Sequence, residues 1–170
     1  AAKAQSTADM ALANAQELVI NGNFEAGDAN WSGSGTNNGI AHDTAHSGMY
    51  SWAKSGDNST SLELDQQLSA PIIPGHTYRF SVWVRIDPYA YVVGGNRSIY
   101  ATKSGSAEID SEIFSSSQPA GTWFEYVQDW TAPADAVSFA NLRYSFVPST
   151  SMIWLDDVSL KDVTEAKAAQ

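Results

Sequence analysis

The stretch Thr77-Tyr78-Arg79-Phe80-Ser81-Val82-Trp83-Val84-Arg85-Ile86 alternates without a break between apolar residues and polar or amphipathic ones. Successive side chains on a β-strand leave opposite faces of the sheet, so this pattern predicts one strand with Tyr78, Phe80, Val82 and Val84 in a core. Arg79, Ser81, Trp83 and Arg85 then face away from it. Pro74-Gly75 just before the strand is turn chemistry and fixes where it begins.

The same rhythm extends in both directions. Strands are predicted over Ser61 to Leu68, Ser98 to Lys103, Trp123 to Thr131, Val137 to Phe146 and Met152 to Lys161. Turn-rich spacers such as Asn21-Gly22-Asn23 and Gly33-Ser34-Gly35 separate the apolar runs. Many short strands with frequent turns predict an all-β fold, a sandwich of two antiparallel sheets, over residues 18 to 163. The Ala-rich residues 1 to 17 contain neither Gly nor Pro and predict a helical stem, and residues 164 to 170 predict the start of a second helix.

A chain of 170 residues lies in the usual range of a single domain. It holds 9 Lys and Arg against 19 Asp and Glu, and the resulting charge of −10 repels nucleic-acid phosphates and anionic lipid headgroups. No stretch approaches the roughly 20 apolar residues of a membrane-spanning helix, so membrane insertion is not expected. The absence of cysteine removes disulfide frameworks and thiolate metal sites. Six tryptophans and seven tyrosines with only 16% charged residues suit β-structure and sugar-binding surfaces.

Applied to the other strands, the alternation turns Tyr100, Asn141 and Arg143 away from the core. Together with Trp83 and Arg85 they predict an outward face of flat rings and multi-donor groups, as a glycan requires. A pyranose presents an apolar C–H face to an aromatic ring while neighbouring polar groups take its hydroxyls. The alternative for Trp83 is burial under the loop from Asp87 to Asn96. Tyr89 and Tyr91 in that loop are read either as a lip over the ligand or as packing for the loop itself. Catalysis is not expected. His42, His46 and His76 are scattered among turns, and Asp110 and Glu112 lie on one strand face and cannot flank a substrate from two sides.

Three segments carry a resemblance to a known family: Leu18-Val19-Ile20-Asn21-Gly22-Asn23-Phe24-Glu25 followed by Trp31, then His46-Ser47-Gly48-Met49-Tyr50-Ser51, and Trp154-Leu155-Asp156-Asp157-Val158-Ser159-Leu160. They resemble the opening, turn and closing strand of carbohydrate-binding modules of families four, nine and twenty-two. The resemblance implies a jelly-roll β-sandwich and a non-catalytic glycan-binding module that anchors a larger extracellular or virion protein to a polysaccharide or cell-surface glycan. It also implies a structural calcium held by Glu25 and Asp156, with the Asn23 carbonyl and the turn from His46 to Met49 completing the shell. The alternative for these acids is that they are ordinary turn and edge groups. Trp31, Trp123 and Trp154 stand where the family has structural aromatics and are expected in the core, whereas Trp52 and Trp130 are open. The Ala-rich flanks resemble the stems of phage tail-tip and tail-fibre proteins, a setting that admits a homotrimer assembled through the helices. The competing function is a structural or spacer domain of a phage tail protein without a sugar site.

Overall fold

The computed structural model describes residues 2–34, 38–54, 62–86, 95–102, 105–110, 121–146 and 152–170. A helix, α1 (Ala2–Ala13), precedes ten strands and a closing helix, α2 (Thr164–Ala168). The strands are β1 (Ser32–Ser34), β2 (Asn38–Ala41), β3 (Ser51–Lys54), β4 (Leu62–Gln67) and β5 (Thr77–Ile86). They continue as β6 (Gly95–Thr102), β7 (Gly105–Asp110), β8 (Trp123–Thr131), β9 (Ala136–Phe146) and β10 (Ile153–Asp162). Two five-stranded antiparallel sheets face each other, one ordered β2-β3-β10-β5-β8 and the other β1-β4-β9-β6-β7. This is the jelly-roll sandwich expected of the chain. Below, each sheet is named for its longest central member, the β5 sheet and the β9 sheet.

The predicted strand from Thr77 to Ile86 is present with those limits, its burial alternating strictly along all ten residues. Tyr78, Phe80, Val82, Val84 and Ile86 join Leu64, Leu155, Leu160, Leu18 and Phe24 in one core. Burying a side chain of this kind contributes about 1.5–3 kcal/mol, so the inward rows of the strands dominate stability. Four strands were not predicted: β1, β2, β3 and β7. They are short, β1 is Ser-Gly-Ser and β2 has Ile40 as its one large apolar residue, so no apolar alternation marks these two; their partners impose the extended form.

Two devices tie the N-terminal segment to both sheets. The Gln66 side chain, almost wholly buried, donates from Nε2 to the Ile20 carbonyl at 2.7 Å and accepts from the Ile20 N–H at 2.6 Å. On the other side, Leu18 N–H donates to the Leu160 carbonyl and Val158 N–H to the Gly22 carbonyl. α1 packs along α2, burying Ala8 and Ala166, and Lys167 of α2 reaches Asp129 of β8 at 2.7 Å.

Candidate functional site

The sheet pairing divides the predicted sugar face. Trp83 and Arg85 lie on β5, whereas Tyr100 and Asn141 with Arg143 lie on β6 and β9 of the opposite sheet. Alternation assigns a residue to the inner or outer side of its own strand but says nothing about which sheet the strand joins. The five residues are therefore divided between two sheets.

On the β9 sheet, register sets the grouping. Tyr100 is paired with Asn141, and Arg143 with Ser98 on one side and Asp65 on the other. Leu64 and Gln66 of β4 are buried, and their register partners are Tyr144 and Leu142. By register Asn141 shares a row with Tyr100 and Gln67, and Arg143 shares one with Ser98 and Asp65. Tyr89 and Tyr91 lie outside the described residues.

On the β5 sheet, the ring of Trp83 is stacked on by His46, while residues 87–94 of the loop considered above lie outside the described residues. The two rings have centroids 3.7 Å apart and planes 12° from parallel, and the imidazole meets Trp123 edge-on at 5.8 Å. His46 belongs to the turn that leads into β3, and three carboxylates hold that turn. Asp156 accepts the N–H groups of His46 and Ser47 on Oδ2 at 2.8 and 3.1 Å, and that of Asp157 on Oδ1 at 2.7 Å. Glu25 Oε1 accepts the N–H groups of Met49 and Tyr50, both at 2.9 Å. Asp157 takes Ser47 Oγ at 2.7 Å and stands 2.6 Å from His46 Nδ1. Gly48 at φ 63° lies against the Glu25 carboxylate, where a Cβ would collide.

A bulge in β10 makes this clasp. The register with β5 jumps between Asp156 and Ser159, and Asp157 adopts a φ of 48°. Leu155 and Val158 both stay in the core while the two acids between them turn to the outer side. Asp156 is nevertheless fully buried, beneath the turn. Desolvation pushes its pKa up to about 6, opposed by the backbone N–H donors of Ser47, Asp157 and His46.

The calcium expected from the family resemblance can be judged against this donor set. Glu25 and Asp156 converge on one turn and offer only oxygens, which suits a hard cation, and no cationic side chain is among the partners of buried Asp156. The side chains of the other expected contributors are engaged elsewhere or turned outward, which leaves their backbone carbonyls as the oxygens they would offer. The His46 imidazole is committed to Trp83 and Asp157, the Met49 side chain is 66% exposed, and Asn23 Oδ1 accepts the Glu25 N–H at 3.3 Å. Among the described residues no group of three or more His, Asp or Glu side chains is gathered for a metal. A cation here would rest on two carboxylates and backbone carbonyls.

Of the tryptophans expected in the core, Trp31 is buried and donates from Nε1 to the Asn21 carbonyl at 2.9 Å. Trp123 and Trp154 are half-buried on the outer face of the β5 sheet instead. Trp154 sits between core residues Ile153 and Leu155, and a strand cannot send three successive side chains inward. Trp52 is a core residue, and Trp130 packs against the core. The Arg85 guanidinium lies 5.6 Å from the centre of the Trp154 ring. Arg85 Nε and Trp154 Nε1 are both buried without an acceptor among the described residues, each unmade bond costing about 1–3 kcal/mol. The histidines are separate from one another. His76 pairs with Asp162 at 2.6 Å, and His42 meets Tyr50 edge-on. Asp110 ends β7, and Glu112 lies outside the described residues.

The profile of the family described as carbohydrate binding domain matches residues 16–144. The chain belongs to this family. The solved structures that resemble the domain share its fold at low identity. The family 16 carbohydrate-binding module-2 matches with a TM-score of 0.68 and 17% identity, covering 84% of this chain and 98% of that one. The CBM22-1 xylan-binding domain from Paenibacillus barcinonensis Xyn10C matches with a TM-score of 0.64 and 12% identity, over 88% of this chain and 96% of the other. The enzymatically active domain of bacteriophage CBA120 tailspike protein 4 matches with a TM-score of 0.62 and 16% identity, over 85% of this chain but 21% of that one. Comparison with the curated proteins finds no match.

Proposed function

We propose that this carbohydrate-binding domain is a non-catalytic module that anchors a larger extracellular or virion protein to polysaccharide, through the outward face of the β9 sheet. The observation that supports it most is the register that sets Tyr100 opposite Asn141, with Arg143 two residues further along β9. That row offers an aromatic platform flanked by amide and guanidinium donors, the combination a pyranose needs. Trp83, already stacked by His46, supports the fold instead of the ligand. Calcium, bound by Glu25 and Asp156, would hold the turn from His46 to Tyr50 and contribute to stability only.

The test is a glycan-array screen, with xylans included because the Paenibacillus relative is a xylan-binding domain. It is run with calcium and with a chelator, on the unmutated chain and on Tyr100→Ala. Retention of one polysaccharide class, lost in Tyr100→Ala at unchanged Tm, supports the reading. A silent array from the folded chain favours the second reading, a spacer domain of a phage tail protein, which the resemblance to part of the tailspike keeps open.

A further inference from the structure

The outer face of the β5 sheet carries a row that crosses all five strands. Gly39 pairs with Ala53, Ala53 with Trp154, Trp154 with Arg85 and Arg85 with Trp123. Three large side chains occupy one end, and the other ends in the two smallest. Above these two opens a cavity of about 610 Å³, lined further by Met152, His42 and Asp43. This volume is within the roughly 300–1,000 Å³ of small-ligand sites, and such sites combine an apolar surface with a few polar groups. A Cβ added at Gly39 would meet nothing within 4 Å, so the floor is open. Next to the floor, Trp154 holds a buried indole N–H that has no acceptor among the described residues.

We propose that this trough is a second glycan subsite, on the other sheet from the Tyr100 row, and that it takes one neutral pyranose unit. Gly39 and Ala53 give the C–H face of the sugar a floor without projecting side chains, and Met152 adds apolar surface beside it. His42 and Asp43, both exposed, supply a donor and an acceptor for hydroxyls. The Asp43 carboxylate and the −10 charge of the chain select against a uronate. The inference rests on the glycan-binding reading for its ligand class, but its residues are independent of the Tyr100 row. Two faces on one module would let it bridge neighbouring strands of a polysaccharide, each weak contact raising the avidity of the other.

The experiment is an NMR titration of the full chain with neutral methyl pyranosides of xylose, glucose, galactose and mannose, following the amides of Gly39 and Ala53 and the indole N–H of Trp154. The expected result is saturable shifts at these positions that persist in Tyr100→Ala and weaken about tenfold or more in Gly39→Trp, which fills the trough. Asp43→Ala leaves the trough open and removes one hydroxyl partner, so weakening there supports the proposal even where Gly39→Trp unfolds. Shifts confined to the Tyr100 and Asn141 amides overturn the second subsite and leave the proposed function intact. Absence of saturable shifts at every position, with every sugar, overturns both.

Discussion

His46 shows how a residue takes a role that its neighbours in sequence do not suggest. Its imidazole caps Trp83, and its own backbone N–H is held by Asp156, so a ring suited to sugar stacking becomes the anchor of a turn. Trp83→Ala should therefore cost about 2 kcal/mol in denaturant unfolding, as expected for truncating a half-buried ring, and leave glycan retention on the Tyr100 face unchanged. Loss of retention at unchanged stability would return Trp83 to the ligand site. Asp156 gives a pH prediction with a definite sign. Its folded-state pKa of about 6 lies above its ordinary value, so in chelator its contribution to stability is full below about pH 4 and is lost as pH rises through 6. Asp129, hydrogen-bonded to Arg79 and then to Lys167, is shifted the opposite way. Its contribution is present above the ordinary carboxylate pKa and disappears as pH falls through its lowered value. Chelated protein should accordingly gain stability between pH 7 and 5 and lose it in stronger acid. Calcium should raise Tm more at pH 7 than at pH 5, because a metal binds the ionised carboxylate. Equal effects at the two pH values would remove Asp156 from any metal site.

Among the elements, the strands differ in how plainly their sequence announces them. Thr77 to Ile86 was legible to the residue because it carries large apolar groups at every second position of a long run, and Trp123 to Thr131 because its aromatics Phe124, Tyr126 and Trp130 recur at even spacing. β1 and β2 carry almost none, and they exist because β4 and β3 offer them hydrogen-bonding edges. The segment from Asn21 to Phe24 is informative in another way. Asn21 and Phe24 have φ of 53° and 57°, and the Asn21 side chain holds this strained turn through the Gly27 and Ala29 carbonyls and the Ala26 N–H. Gly22 has a stricter requirement, since a Cβ there would run into the Val158 carbonyl of β10. Gly22→Ala should cost about 3 kcal/mol and lower Tm by about 10 °C, readable by calorimetry. An unchanged Tm would mean that β10 can shift away from this turn without penalty.

At the scale of the whole molecule, α1 and α2 pack on each other at one end of the sandwich, with Lys167 tying α2 to Asp129. A twelve-residue helix with a weak apolar face is marginal alone, so α1 depends on this docking more than the sandwich depends on α1. Removing residues 1 to 13 should leave a single cooperative unfolding transition, with Tm lower by a few degrees; loss of cooperativity would make α1 part of the core. The sequence by itself determined the fold class and the inward row of the strand from Thr77 to Ile86, because period-two burial and turn chemistry act within a few residues of chain. Only the tertiary structure decided which sheet each strand joined, and hence that Trp83 and Arg85 lie on a different sheet from Tyr100, Asn141 and Arg143. Sheet membership depends on hydrogen bonds between residues far apart in the chain, such as Trp83 with Asp156 and Tyr100 with Asn141, and no local pattern encodes those partners.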